Sequence, residues 1–184
     1  MSEALQDAGC QVLQASADAD VLLVKTTMEK AREQDTALVG DDADLLLMLC
    51  NLSTNESHDT YFRPEPKANQ KCPPTCWKVG ALQVALGPDV CSCLMFSHAL
   101  TGCNTTSRLS DVGEPSAPNK LIKYPFLRQQ AVPFTVIGTE KSIIFEAGEQ
   151  AIVCLYGGTP GDSMDKLRCS HFIRKCHPPL QLSI

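Results

Sequence analysis

The chain has 184 residues, of which 43% are hydrophobic, and this is enough for one domain, or one domain with an appendage, around a core. Its formal net charge is −5, whereas a domain that binds nucleic acid broadly is usually basic. No apolar run is long enough to predict a transmembrane helix, and the acidic first residues do not resemble a signal peptide. We therefore expect an intracellular protein, in the nucleus or the cytoplasm, with no membrane partner.

The chain contains ten cysteines, which is a high count for its length. Several have apolar neighbours, as at Cys50 and Cys154, and such positions favour reduced, buried thiols. A zinc site is the alternative, with the candidate ligands Cys72, Cys76, Cys91 and Cys93. Their CxxxC and CxC spacings are not typical of zinc sites, and no histidine is placed to complete a set.

Helices and strands alternate in the first part of the chain. We predict a helix over 2–8, a strand over 11–14, a helix over 17–32, a strand over 36–39 and a helix over 42–50. The second helix carries Val21, Val24 and Met28 on one stripe, as an amphipathic helix does. Strands that alternate with helices are typical of a parallel α/β sheet.

The rest of the chain is predicted to be mostly helical. A loop over 51–76 holds one short strand over 60–63, and the helices are expected over 77–86, 89–100, 142–156 and 162–175, with a proline-interrupted segment over 116–134. We divide the chain into an α/β core, residues 1–110, and a helical C-terminal region of the same domain, residues 111–184. His98 lies in an apolar helix, where we expect a buried, hydrogen-bonded histidine.

Two acidic clusters are the most informative feature of the sequence. Asp18 and Asp20 form the first, and the second, at Asp41, Asp42 and Asp44, directly follows the predicted strand over 36–39. An open α/β sheet binds its ligand at this end of a strand. Clustered carboxylates raise each other's pKa values unless a cation neutralises them, and hard oxygen donors suit Mg²⁺ or Mn²⁺. The alternative is helix capping, which explains a single Asp but not the pair of clusters.

A third interpretation, a phosphatase with an aspartyl-phosphate intermediate, is excluded. Such enzymes need a long stretch with a Lys between the nucleophilic Asp and the later acidic residues. The short interval between Asp20 and Asp41 has no room for it.

Three segments resemble the PIN-like, flap-endonuclease-type nucleases, and within them an animal subgroup often found near transposable elements. The segments are Asp18-Ala19-Asp20-Val21, Gly40-Asp41-Asp42-Ala43-Asp44-Leu45-Leu46 and the ten residues from His98 to Ser107. The resemblance implies a PIN-like open parallel sheet with flanking helices. It also implies a helical C-terminal part with a helix–hairpin–helix-like turn.

The activity that the resemblance implies is Mg²⁺- or Mn²⁺-dependent hydrolysis of phosphodiesters in DNA or RNA, with DNA the favoured substrate. It assigns both catalysis and metal binding to four carboxylates, Asp18, Asp20, Asp42 and Asp44. It assigns a further metal contact to Asn104. It assigns nucleic-acid binding to Val112, Gly113, Lys120 and Lys123.

Three departures from the family pattern support a second hypothesis. Asn104 stands where the family has Asp, and Glu114 follows the turn expected at a phosphate. The family's first strand, with its own metal-binding Asp, is expected to lie before Met1. The chain is therefore either a truncated nuclease domain with an incomplete metal site or a catalytically inactive PIN-like scaffold or interaction domain.

Overall fold

The computed structural model describes residues 2–54, 58–66, 75–101 and 116–176, and the chain is mixed α/β. It divides into two compact units, residues 1–85 and residues 86–184. Among the described residues, the strands all lie in the first unit and the second unit is helical. The boundary predicted after residue 110 falls between residues 102 and 115, outside the described residues.

The first unit holds the alternating elements that the sequence predicts. Its helices are α1 (Ser2–Asp7), α2 (Ala19–Lys30), α3 (Ala43–Leu52) and α4 (Val79–Leu86), and its strands are β1 (Thr36–Gly40), β2 (Thr60–Pro64) and β3 (Trp77–Lys78). The helices predicted over 2–8, 17–32 and 42–50 and the strands predicted over 36–39 and 60–63 are confirmed, with small differences at their ends.

The sheet is mixed, so the prediction of a parallel sheet is only partly right. β1 and β2 are parallel, with Leu38 opposite Phe62, whereas β3 runs antiparallel to β2, with Trp77 opposite Phe62. Trp77 and Lys78 were predicted to begin a helix. Instead Lys78 Nζ donates to Asp59 Oδ2 at 2.6 Å, and this contact, together with the strand pairing, holds β3 alongside β2.

The strand predicted over 11–14 is wrong. These residues belong to no strand of the sheet, whose order among the described residues is β1-β2-β3. Leu13 is 53% exposed, so the segment does not bury the apolar face that would fix a strand in register. A pattern of four residues is too short to form a strand without a neighbour that covers it.

The core of the first unit lies between the sheet and the helices that follow and precede β1. Leu38 and Phe62 are each 3% exposed, and Val24 of α2 and Leu49 of α3 are completely buried. Each such side chain contributes about 1.5–3 kcal/mol by leaving water. α2 packs against both β1 and α3, which sets the N-termini of these two helices near one end of the sheet.

The second unit consists of helices in its described part. They are α5 (Pro88–Cys91), α6 (Leu94–Thr101), α7 (Ser116–Lys123), α8 (Pro125–Thr135), α9 (Lys141–Leu155) and α10 (Met164–Cys176). The predicted helices over 142–156 and 162–175 are confirmed. The helix predicted over 89–100 is instead two helices, because Ser92 Oγ donates to Asp89 O at 3.1 Å and competes with the helical backbone.

Packing of α8 against α9 forms much of the second core. Leu127 and Ala131 of α8 and Ala147 and Ala151 of α9 are each at most 5% exposed. His98 is 8% exposed, and its predicted burial is therefore confirmed. No single helix in the described part of the chain is both long and apolar enough to cross a membrane. The consecutive helices over 79–86 and 88–101 meet that length and composition only when taken together.

Candidate functional site

Asp18 and Asp42 hold the same position in two helices. Each is the N-cap, of α2 and α3 respectively, and each has an extended backbone. Asp18 Oδ1 accepts a hydrogen bond from the backbone N–H of Asp20 at 2.9 Å, and Asp42 Oδ1 accepts one from that of Asp44 at 3.0 Å. Each Asp-x-Asp segment therefore starts a helix, and one oxygen of its first carboxylate accepts the capping hydrogen bond.

The second acidic cluster is placed by the tight turn from β1 into α3. Gly40 is the last residue of β1, and a Cβ at this position would clash with the Cδ1 atom of Leu45. Leu45 is 2% exposed and covers the end of the strand. Because Gly40 leaves room for Leu45, only Asp41 and Asp42 separate β1 from α3, and Asp42 lies at the C-terminal end of the strand.

The two acidic clusters approach each other in the folded unit. The pKa of Asp20 is raised, first by partial burial and then by the negative charges of Asp18 and Asp42. Asp18 is a neighbour in sequence, but Asp42 belongs to the other cluster. Its charge acts on Asp20 from α3, which packs against α2.

The described carboxylates are suitable donors for Mg²⁺ or Mn²⁺, but they do not form a full coordination set. Within residues 2–54, 58–66, 75–101 and 116–176, no three His, Cys, Asp or Glu side chains are grouped so as to hold a metal ion. Asp41 is exposed. Asn104, Val112 and Gly113 lie outside the described residues. The carboxylate oxygens are donors of the kind that Mg²⁺ and Mn²⁺ prefer, but the described residues alone do not form a metal site.

The two lysines predicted to bind nucleic acid have different surroundings. Lys120 is half-buried, and its Nζ donates to the backbone carbonyl of Leu155, in the last turn of α9. Lys123 is exposed, with its Nζ 5.3 Å from the ring centroid of Tyr124. The ammonium of Lys120 thus serves to cap a helix, whereas Lys123 is exposed.

The cysteines of the alternative zinc site are not all described. Cys72 lies outside the described residues, exposed Cys76 belongs to the first unit, and Cys91 and Cys93 are buried in the second. Burial raises the pKa of the Cys91 thiol, which favours the protonated form and disfavours metal binding. Among the described cysteines, Cys50, Cys91 and Cys93 are buried, as the apolar sequence around Cys50 predicted, whereas others such as Cys10 and Cys169 are exposed.

Sequence reasoning missed a polar cluster where β1 and β2 begin, at the end of these strands away from Asp42. Asp59 accepts from Lys78 Nζ and, at 3.4 Å, from the hydroxyl of Tyr61, while its backbone N–H donates to Asp35 Oδ1 at 3.0 Å. The hydrogen bond from Lys78 lowers the pKa of Asp59. Lys78 and Asp35 are 19 and 24 residues from Asp59 in sequence, so no local spacing marks the cluster, which holds the beginnings of β1 and β2 together.

The chain was compared with protein-family models, with curated proteins and with solved structures, and no match was found in any of the three.

Proposed function

We propose that the chain is a nuclease-type domain whose acidic helix starts bind Mg²⁺ or Mn²⁺ beside a nucleic-acid phosphodiester. The observation that carries this proposal is that two Asp-x-Asp segments start the helices on either side of β1, with Asp18 and Asp42 as N-caps. Partial burial, and then the charges of Asp18 and Asp42, raise the pKa of Asp20. A divalent cation relieves such repulsion, and the C-terminal end of a parallel strand is where α/β sheets bind ligands. The Asp-x-Asp segments at Asp18 and Asp42, which resemble those of PIN-like nucleases, support the choice of activity.

The four carboxylates have two kinds of role in this proposal. Asp18 and Asp42 hold the helix starts in place through one oxygen each, and their second oxygens take no part in capping. Partly buried Asp20 and Asp44 are the other candidate ligands. A bound cation would supply positive charge that polarises a phosphodiester oxygen. The side chains of the protein would set its position through the two helix starts.

Cation binding is tested by following the melting temperature of the chain while Mn²⁺ is added. We expect a rise for the parent protein and none for Asp42→Asn, because Asn caps a helix as well as Asp but brings no charge. Glu29→Gln, on an exposed part of α2, is the matched control and should retain the rise. A folded parent protein whose melting temperature is insensitive to Mn²⁺ would rule out the proposed site.

Nuclease activity is tested separately, on single-stranded and duplex DNA and on RNA with Mn²⁺. Cleavage by the parent protein that Asp42→Asn loses and Glu29→Gln keeps would support the proposed reaction. Cleavage that survives in Asp42→Asn would come from another site or from a contaminating enzyme, and it would contradict the assignment.

A non-catalytic scaffold is the second candidate, and specific observations favour it. Among the described residues no three possible ligands are grouped to hold a metal ion, and both N-cap residues have a structural role in the helices. Residues 1–85 contain thirteen acidic and seven basic residues, a balance that disfavours contact with a polyanion. Binding of Mn²⁺ without cleavage of any of the nucleic acids would support this function, a cation-stabilised scaffold.

A further inference from the structure

The turn between α9 and α10 is held by side chains of α9. Gln150 Oε1 accepts from the backbone N–H of Gly161 at 2.9 Å, and Gln150 Nε2 donates to the carbonyl of Asp162 at 3.3 Å. Glu149 Oε1 accepts from the backbone N–H of Met164, the first residue of α10, at 3.3 Å. The start of α10 is therefore attached to α9 through this turn.

Asp162 is the centre of the turn. Its Oδ2 accepts from both the backbone N–H and the hydroxyl of Thr159, at 2.9 and 2.7 Å, and its Oδ1 accepts from Lys166 Nζ at 2.7 Å. These hydrogen bonds hold the pKa of Asp162 far below its usual range, with that from Lys166 as the largest cause. The hydroxyl of Thr159 is thus one of the groups that keep the turn closed on Asp162.

Thr159 is also an exposed hydroxyl residue followed directly by a proline. Thr159, Pro160 and Gly161 are all exposed. In the whole sequence, Thr159 is the one Ser or Thr that precedes a proline. Proline-directed protein kinases select their acceptor by this following proline, whose ring fixes the backbone and removes an N–H.

We propose that Thr159 is a phosphorylation site for a proline-directed kinase, and that its modification loosens α10 from α9. The co-substrate is a nucleoside triphosphate. A bond forms between Thr159 Oγ1 and the γ-phosphorus, and the bond from that phosphorus to the oxygen bridging to the β-phosphate breaks. The nucleoside diphosphate leaves with the electron pair, and the hydroxyl proton passes to a carboxylate of the kinase.

Phosphorylation changes both partners of the closed turn. Thr159 loses the proton that it donates to Asp162, and a phosphate group with nearly two negative charges comes to lie beside the carboxylate. Lys166, the cation that pairs with Asp162 in the described structure, then faces two anions. Like-charge repulsion therefore opens the turn and frees the first residues of α10.

The site is tested on the intact chain with a mitogen-activated protein kinase and adenosine triphosphate, followed by mass spectrometry. We expect one phosphate on Thr159 and none on Pro160→Ala, which keeps the acceptor but removes the proline. If a peptide of residues 154–167 is phosphorylated and the folded chain is not, the site is inaccessible and the proposal fails.

The conformational effect is tested by hydrogen exchange of the same samples. Backbone amides between Thr159 and Leu167 should exchange severalfold faster in the phosphorylated chain, while those of α8 stay unchanged. The Thr159→Val variant removes the hydroxyl without adding charge, so it should show a smaller increase. Equal exchange in the phosphorylated and unmodified chains would overturn the proposed loosening of α10.

Discussion

The pKa of Asp20, in the first turn of α2, is raised by partial burial, by the charge of Asp18 and by that of Asp42, the residue that caps α3. Asp20 lies at the start of the helix that precedes β1, and Asp42 caps the helix that follows it. Helix dipoles favour negative charge at these positions, but the net effect on Asp20 is unfavourable because partial burial and two like charges outweigh it. The arrangement therefore has a cost to stability at neutral pH.

We predict that Asp20→Asn stabilises the protein at neutral pH, because it removes a charge that partial burial and two neighbouring carboxylates disfavour. The pKa of Asp20 is higher in the folded chain than its unfolded value of 3.8, so ionisation disfavours the folded state. The gain should be complete above the folded pKa and should vanish below the unfolded one. Chemical denaturation from about pH 3 to pH 7 measures it. A variant less stable than the parent at neutral pH would show that the charge of Asp20 is favourable.

Replacement of Asp42 separates capping from charge. Asp42→Ala should lower the free energy of unfolding by about 1 kcal/mol because the N–H of Asp44 loses its acceptor, whereas Asp42→Asn should change it little. Urea denaturation in the absence of divalent cations gives both values. Similar losses in the two variants would mean that the charge of Asp42, and not its cap, stabilises α3.

We predict that position 40 requires glycine, because the packing of Leu45 leaves no space for a side chain there. Gly40→Ala places a methyl group against Leu45 Cδ1 and near Leu38, and it should cost about 1–3 kcal/mol through overpacking. Gly80, in α4, is the matched control, since its added Cβ meets no heavy atom within 4 Å. Gly80→Ala should stabilise the helix by about 0.5–1 kcal/mol. Thermal unfolding compares the two, and equal effects would contradict the packing at the end of β1.

We predict that Lys120 contributes to the stability of the fold, whereas Lys123 contributes to the binding of DNA. Lys120→Met should lower the free energy of unfolding by about 1 kcal/mol, because the carbonyl of Leu155 loses a charged donor. Lys123→Met should leave stability nearly unchanged and weaken any binding of DNA, with a smaller dependence on salt. Denaturation and fluorescence anisotropy at several salt concentrations measure the two effects. A larger loss of DNA affinity in Lys120→Met would place that lysine at the phosphate instead.

Local sequence signals were sufficient to predict much of the secondary structure of the first unit. The β-branched run that ends at Gly40 and the Asp residues that follow it predict β1 and the start of α3, and both are confirmed. Their prediction succeeds because strand formation and N-capping depend on residues within a few positions of each other. The same locality explains the success at α9 and α10, which end or begin beside glycine-containing turns.

Contacts between distant residues decided the rest. Trp77 and Lys78 have an apolar helix after them, yet they form a strand because Asp59 and the edge of β2 bind them. The segment 11–14 has strand-like residues and remains outside the sheet, since no neighbour covers Leu13. The sequence by itself thus determined the acidic helix starts and the class of chemistry that they favour. Only the tertiary structure decided that the charge of Asp42 acts on Asp20 and that Lys120 caps α9. Both effects depend on distances in space, which the spacing of residues along the chain does not specify.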